Sequence, residues 1–377
     1  MKTPQSQYRL FVAVSPGLEP WLISELQELG LTATSVAGGA ELYASTEQLW
    51  RLHHECRLAE HIRVRLRSFR ARHFDELIAG LRRLPWHAYL NASQKVDIRA
   101  TCHRSRLWHS DAVAERVRTA LTQSNRTNTG EIELDETGAS QAVYVRITGD
   151  CVQPAIDASG EPLHRRGRRT FVAVAPLRET LAAALVHVAN QASLPTVPRL
   201  WDPFCGSGCI LLEWAESRLE LAAGRDRSFA FEHWPIHDAA AYTAWQQERG
   251  DRVPAEVQAL GSDIDARALE AAQGNAARCS LERYCTWHCG DFESLADQVP
   301  LGTPIITNPP YGVRLGDRHA TAQLMQRFES LLARRPDLRP AVVLLPHPFR
   351  HWKPSLAWES VARFYNGGLQ VQIMRLV

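Results

Sequence analysis

The sequence predicts an α/β protein whose second half is a doubly wound, Rossmann-like sheet and whose first half is an α+β unit of ferredoxin-like order. Three observations carry this. Leu200 to Gly208 reads as a strand, a glycine turn and the start of a helix; Val257 to Ser262 is a second strand that ends in Asp263-Ile264-Asp265 and opens a helix from Ala266 to Ala277; Pro304-Ile305-Ile306 leads into Asn308-Pro309-Pro310-Tyr311-Gly312. Apolar runs that each feed a helix are the pattern of parallel strands covered on both faces. After Ala320 to Arg334, a helix, and Ala341 to Leu345, a buried strand, Asn366-Gly367 turns residues 361–365 back onto Leu369 to Leu376. That hairpin supplies an antiparallel edge.

In the first half, Tyr8 to Val14 is a strand, and the helix after Ser15-Pro16-Gly17 has an apolar face of Leu18, Trp21, Leu22, Leu26 and Leu29. Leu31 to Val36 and Ala40 to Tyr43 form a hairpin around Gly38-Gly39, with a helix from Thr46 to Cys56. The order is β-α-β-β-α. In the next strand, Ile62 to Phe69, the apolar Ile62, Val64 and Leu66 alternate with Arg63, Arg65 and Arg67; such a charged row is most often a solvated face. Helices follow at Phe74 to Leu84 and Ser110 to Gln123, and strands at Val96 to Thr101 and Ala142 to Ile147. The loop Cys102 to His109 holds Arg104, Arg106 and Trp108, which suits phosphates and bases, although loop aromatics also serve as anchors. Cys151 to Asp157 is expected to pair through Ser159-Gly160 with Glu161 to His164, closed by Arg165-Arg166-Gly167-Arg168-Arg169. This hairpin either touches nucleic acid or fixes an interdomain angle. The expected units are 1–58, 59–158, a hairpin linker 159–175, and 176–377.

A chain of 377 residues has enough apolar content for two or three domains, and its formal net charge of +2 does not by itself announce nucleic acid. Local charge is more telling: the only lysines are Lys2, Lys95 and Lys353, so nearly all basic residues are arginine, concentrated before residue 170. The planar guanidinium suits phosphate and base stacking. Eight cysteines show no framework spacing, which points to reduced thiols in a cytoplasmic protein. Cys279, Cys285, His288 and Cys289 match no standard ligand spacing, so no metal is expected. Nor is a membrane span, a secretory leader or an oligomer: no apolar run is long enough, and no apolar helix face stands out.

The chemistry gathers at the strand ends. Asn308-Pro309-Pro310-Tyr311 has an unusual backbone, because neither proline donates an amide hydrogen and each restricts the residue before it. The Asn308 side-chain oxygen and the Pro309 carbonyl can then act as paired acceptors, with Tyr311 as a flat wall. Two acceptors and a ring fit a planar exocyclic amine. Accepting its hydrogens aims its lone pair at an electrophile, for which a methyl sulfonium is the obvious choice. The glycines of Asp202-Pro203-Phe204-Cys205-Gly206-Ser207-Gly208 let a ligand approach the backbone, yet there is no Gly-Lys-Ser/Thr and no third fingerprint glycine. NAD and nucleoside triphosphates are therefore disfavoured, while Asp202 suits a positive amine or sulfonium. Asp263 sits where ribose hydroxyls are gripped, though 61 residues after Asp202 instead of the usual ~20. The interval must hold an insertion, and its Arg227-to-Pro235 segment is too apolar for a disordered linker and is expected near the cofactor edge. Asp265 reads as a helix N-cap. Asp291, after Gly290 and before Phe292, is placed to accept from an adenine amine beside an aromatic face.

With these residues in view, the chain resembles the THUMP-domain methyltransferases, most closely the guanine-N2 methyltransferases of bacterial large-subunit ribosomal RNA. The resemblance runs nearly end to end, through Ser159 to Gly167, Ala175 to Ala182, Asp202 to Gly208, Arg227-Ser228-Phe229 with Trp234, and Asn308 to Gly312. It implies S-adenosyl-L-methionine as methyl donor, held by Asp202, Pro203, Phe204, Cys205, Gly206, Gly208, Asp263, Asp291 and Asn308. It implies catalysis by Asn308, Pro309, Pro310 and Tyr311 on a flipped guanine, with Arg104, Arg106, Arg165, Arg166 and Arg168 on the RNA. The partner it implies is structured RNA, 23S rRNA or an assembling ribosomal particle, gripped by a ferredoxin-like and THUMP unit. Transfer RNA guanine and DNA adenine N6 remain the alternatives. Two positions depart from the family pattern: Cys209 where threonine is usual, and Arg169 where an aromatic is common.

Overall fold

The computed structural model describes residues 7–91, 95–125, 141–167, 177–191, 198–248, 256–310, 317–349, 352–366 and 368–377. Its first half contains β1 (Tyr8–Ala13), α1 (Glu19–Glu28), β2 (Thr34–Val36), β3 (Gly39–Ala44), α2 (Thr46–Glu55), β4 (His61–Arg65), β5 (Phe69–Arg70), α3 (Phe74–Arg82), β6 (Val96–His103), α4 (Ser110–Asn125), β7 (Gln141–Thr148) and β8 (Cys151–Asp157). These strands make one sheet in the order β2-β3-β1-β4-β8-β7-β6, with β5 also on β8. Strand β4 pairs with β1 on one side (Phe11 opposite Arg63) and with β8 on the other (Val64 opposite Ile156), so the sheet runs unbroken past residue 58. Alternation decides which face is core: Leu10, Val12, Ile62, Val64, Val143 and Val145 are buried, and their neighbours point outward. Helix α2 starts on a capping box, in which Gln48 N donates to Ser45 Oγ (3.2 Å) and Ser45 N donates to Gln48 Oε1 (2.8 Å).

The expected pairing of Cys151–Asp157 with Glu161–His164 does not form. Both edges of β8 are already taken, by β4 and β5 on one side and β7 on the other. Residues 158–167 instead turn across the end of β4: Ile62 N donates to Ser159 Oγ (2.8 Å), Gly160 N to Asp157 Oδ2 (2.6 Å), and Leu163 N to the Glu60 carbonyl (2.8 Å).

The second half contains α5 (Glu179–Gln191), β9 (Arg199–Asp202), α6 (Cys209–Arg218), α7 (Ala239–Gln247), β10 (Gln258–Asp263), α8 (Ala266–Arg278), β11 (Cys285–Cys289), α9 (Phe292–Leu295), β12 (Ile305–Thr307), α10 (Asp317–Arg334), β13 (Ala341–Pro346), β14 (Trp358–Asn366) and β15 (Leu369–Leu376). The order is β11-β10-β9-β12-β13-β15-β14, with the first five parallel and β15 antiparallel to both neighbours. Between β9 and β12 the order reverses, which opens a crevice at the carboxyl ends of those strands. Asp265 caps α8, accepting from Arg267 N at 3.0 Å.

The insertion between β9 and β10 lies away from the expected cofactor edge. Helix α6 runs back antiparallel to β9, so the chain leaves it at the opposite end of the sheet. There Phe229 and Phe231 pack on His53 (5.0 and 4.9 Å), Trp234 packs on Tyr89 (5.0 Å), and Trp234 Nε1 donates to Gln141 Oε1 (2.9 Å). Arg227 donates to the carbonyls of Pro162 (2.8 Å), Arg165 (2.8 Å), Ser159 (3.2 Å) and Glu161 (2.6 Å). The insertion thus clamps the two halves together, and one contiguous core includes Leu10, Val64, Leu185, Phe231 and Leu344.

Candidate active site

The crevice begins with Asp202, the last residue of β9. It is 1% exposed, and its Oδ1 accepts from Thr307 Oγ1 (2.5 Å) and Phe204 N (3.1 Å). Burial dominates its titration and lifts its pKa to about 7, against the lowering effect of those two hydrogen bonds; the negative Asp263 nearby adds a smaller push upward. The turn that follows is fixed by Cys205 N donating to the Ser262 carbonyl (3.0 Å) and Gly208 N to the Cys205 carbonyl (2.8 Å). Gly208 has φ of +82°, and a β-carbon there would come within 2.8 Å of the Trp287 ring. Trp287, on β11, fills the space beneath the turn, a role the sequence did not disclose.

At the end of β10, Asp263 Oδ2 accepts from Gly206 N (2.9 Å) and Oδ1 from Asp265 N (2.9 Å). Each oxygen keeps a lone pair, so the carboxylate can still receive hydroxyl donors. Asn308 follows Thr307 at the end of β12, and its Oδ1 is buried without a hydrogen-bond partner. A buried amide oxygen left bare is costly unless a ligand satisfies it. Pro309 is buried, and the Pro310 carbonyl accepts from Thr321 Oγ1 at 3.3 Å. Tyr311 and Gly312 lie outside the described residues. Asp202, Gly206, Gly208, Asp263 and Asn308 therefore meet at one sheet edge: three carboxyl or amide groups around a glycine turn, a donor set that fits a polar cofactor with ribose hydroxyls and a cationic amine.

The remaining expected cofactor residues behave differently. Phe204 sends its ring into a second core against Phe292 (5.1 Å) and Phe328 (6.0 Å), and Pro203 is buried beside it. Phe292 is likewise 2% exposed, so it is not the aromatic face expected beside Asp291. Cys205 is buried among carboxylates, and burial first, then Asp202 and Asp263, hold its thiol protonated. Asp291 caps α9 through Glu293 N (3.0 Å) and takes both oxygens to Arg327 Nη2 (2.8 Å each). Partial burial works to raise its pKa, but these bonds outweigh it and the net shift is downward. Arg327, on α10, escaped the sequence reading because the pair spans 36 residues. Cys209, the departure from the family pattern, donates its thiol to the Leu177 carbonyl (3.3 Å), joining the start of α6 to the approach to α5.

The arginines divide. Arg104 and Arg106 are exposed on the loop after β6, with Arg106 N fixed to Asp150 Oδ1 (2.8 Å), and Trp108 beside them is 74% exposed while Leu107 is the anchor. Arg165 is exposed and paired with Glu161. Arg166 is 5% exposed and belongs to the interior, contrary to the expectation that it meets RNA. Its Nε donates to Glu213 Oε1 (3.0 Å) and its Nη2 to the Arg57 carbonyl (2.7 Å), while Arg57 Nη1 donates to Glu213 Oε2 (3.0 Å). A buried glutamate on α6 selects it as a partner, which sequence spacing cannot show. Arg168 lies outside the described residues. Among the described residues, no helix is long and apolar enough to cross a membrane, and no cluster of three or more His, Cys, Asp or Glu could hold a metal ion.

Comparison with known proteins agrees with this geometry. Residues 166–347 match the family described as "RMKL-like, methyltransferase domain", and residues 9–63 match the RlmL ferredoxin-like domain. The chain is 30% identical to "Putative RNA methyltransferase slr0064" of Synechocystis sp. over 86% of its own length and 85% of that protein. It is 29% identical to "Ribosomal RNA large subunit methyltransferase K/L" of Syntrophotalea carbinolica over 97% of its length, and spans about half, 53%, of that larger protein. The crystal structure of "SMU.472, a putative methyltransferase complexed with SAH" superposes with a TM-score of 0.85 at 25% identity, covering 99% of this chain and 98% of that one. The family match, the relative covered over most of both chains and the superposed methyltransferase structure agree with the donor set at the strand ends: the chain belongs to the RMKL-like methyltransferase family and is an S-adenosylmethionine-dependent methyltransferase.

Proposed function

We propose that this chain methylates the exocyclic N2 amine of a guanine in large-subunit ribosomal RNA. The observation that carries the chemistry is the Asn308 side-chain oxygen, buried at the end of β12 with no partner of its own. An acceptor in that state receives an N–H from a planar amine, and the neighbouring Pro309 carbonyl is assigned as the second acceptor on the Asn-Pro-Pro sequence. Tyr311 follows as the wall on which the base stacks after it leaves its helix, at a cost of a few kcal/mol. Bound S-adenosylmethionine supplies an electrophilic methyl carbon. Asn308 and the Pro309 carbonyl hold the amine so that its lone pair, rather than its hydrogens, faces that carbon, and alignment is the main catalytic contribution. The extra amine proton passes to water after transfer, so no histidine is needed as base. The Gly206 and Gly208 turn with Asp202 beneath it receives the amino-acid end of the donor, Asp263 the ribose, and Asp291, through the lone pair its Arg327 and Glu293 bonds leave on the exposed side, the adenine.

The RNA substrate is supported by the names of the relatives, an RNA methyltransferase and ribosomal RNA large subunit methyltransferases K/L. The exposed Arg104, Arg106 and Trp108 loop supports an RNA-gripping role for residues 59–158 beside the ferredoxin-like residues 1–58, with 176–377 as the catalytic domain. The test offers radiolabelled S-adenosylmethionine with unmodified 23S rRNA, 16S rRNA, bulk tRNA and duplex DNA, and identifies the labelled nucleoside. N2-methylguanosine in 23S rRNA, reduced at least a hundredfold by Asn308→Ala, is the expected outcome, about 2.7 kcal/mol of lost transition-state stabilisation. Label in tRNA moves the substrate, and N6-methyladenine overturns the base.

A further inference from the structure

The outward face of the first sheet concentrates arginines and rings among its other polar residues. Across β3, β1, β4, β7 and β6 it presents Tyr43, Arg9, Phe11, Arg63, Arg65, Tyr144, Arg146 and Arg99, and Tyr43 is 66% exposed. Arg65 lies 4.6 Å from the centre of the Phe11 ring, Arg63 lies 3.8 Å from that of Tyr144, and Arg99 Nη1 donates to the Tyr144 hydroxyl (3.1 Å). Three acids answer part of this charge: Glu41 pairs with Arg9 and Arg65 (2.8 Å each), Asp97 with Arg99 (2.7 Å), and Asp157, on β8 opposite Arg63, with His61 (3.2 Å). Among the described residues, Arg63 and Arg146 have no carboxylate, and Arg63 Nε is buried without a hydrogen-bond partner. The face continues into a cavity of about 350 Å³, walled by Tyr144, Arg99 and His61 on the sheet side and by Ser228 to Ala230 from the insertion.

We infer that this face is a binding surface for an unpaired RNA strand, with its bases stacked on Phe11 and Tyr144, its phosphates on Arg63 and Arg146, and one nucleoside in the cavity. The inference rests on the reading of RNA as substrate and goes beyond it, because it fixes the kind of RNA. Rings lying on a flat sheet can stack only on bases that are splayed out; a duplex keeps its bases inside and offers phosphates and 2′-hydroxyls. Arg63 stands between the two rings, 5.9 Å from the centre of Phe11 and 3.8 Å from that of Tyr144, so they are not one stack and receive separate bases. The guanidiniums of Arg63 and Arg146, which no carboxylate pairs, match a polyanion, and stacking on Tyr144 leaves the outer N–H groups of Arg63 available to phosphate.

The experiment is fluorescence anisotropy of the full chain with an unstructured single-stranded RNA dodecamer and with the blunt duplex of the same sequence, across a salt series. The wild type is expected to prefer the single strand. Tyr144→Ala weakens single-strand binding about tenfold, Tyr144→Phe restores it, and the duplex is little changed. Arg63→Gln and Arg146→Gln each reduce the slope of log affinity against log salt by about 0.7, the value of one lost phosphate contact on a single strand. Unchanged S-adenosylmethionine affinity and melting temperature in each variant establish that it is folded. The inference is overturned if the wild type does not bind the dodecamer, if it prefers the duplex, or if Tyr144→Ala leaves single-strand affinity intact. These results are separate from methyl transfer: strand binding lost on Tyr144→Ala with no labelled guanine upholds the face and removes the substrate reading, and labelled guanine with strand binding indifferent to Tyr144 does the reverse.

Discussion

At Asp202, charge and burial oppose each other. Its pKa of about 7 lies above the ~3.9 of an unfolded aspartate, so the folded chain without cofactor binds more protons between those values. The stability contributed by the protonated form is present below about pH 4 and lost as pH rises through 7. A cationic amine at the same place reverses the preference and favours the carboxylate. S-adenosylmethionine binding is therefore expected to release a proton near pH 7, with Kd rising by up to about tenfold per unit as pH falls below it. Isothermal titration in buffers of different ionisation enthalpy measures that proton. In Asp202→Asn the pH slope should vanish; a slope that persists assigns the titration elsewhere. Sequence position marked Asp202 as a cofactor acid, but its raised pKa comes from the burial that the closed sheet imposes, against the lowering hydrogen bond from Thr307, 105 residues away.

Among elements, α10 does the most that its sequence conceals. Its Glu329 is 2% exposed and accepts from Trp352 Nε1 (3.1 Å), Ser355 N (3.0 Å), Leu356 N (3.1 Å) and Trp358 Nε1 (2.9 Å), latching the helix to the approach to β14. Replacing it leaves several buried donors bare, at about 1–3 kcal/mol for such a loss. Glu329→Ala should lower the unfolding free energy from urea titration by that amount, seen as a lower midpoint at unchanged slope, and Glu329→Gln should recover only part, because an amide accepts through one oxygen. No change in midpoint would show the latch to be dispensable. The same helix carries Arg327 to Asp291, so its loosening is expected to reach the adenine end of the site. As a helix α10 was legible from periodicity; what it holds was not, because both partners lie beyond its own turns.

For the whole molecule, the decisive feature is the buried joint of Arg57, Arg166 and Glu213 between the two halves. Removing one member strands the others in a low-dielectric interior, a loss of about 3–5 kcal/mol. Arg166→Ala should therefore lower the melting temperature markedly, while the RNA affinity of the protein that stays folded is unaltered. Arg104→Ala should do the opposite, weakening RNA binding with little effect on melting. If Arg166→Ala instead weakens RNA binding without destabilising, the joint is not structural. The Arg165-to-Arg169 cluster had admitted both roles, and the structure assigns its described inner arginine to the joint.

The strand and helix order, the glycine turn, the aspartates at the strand ends and the proline-held Asn308 were all written locally, because each depends on backbone preference or on alternation over a few residues. Tertiary structure alone decided the rest. It denied 161–164 a place on β8 because that strand had no free edge, and it moved the insertion to the far end of the sheet because α6 runs against the strands. It also turned Phe204 and Phe292 into core, gave Asp291 to Arg327, and laid Phe11, Arg63 and Tyr144 side by side on one face. These outcomes depend on which surfaces meet across tens of residues, and a side chain's partner there is set by the space left between elements rather than by its neighbours in sequence.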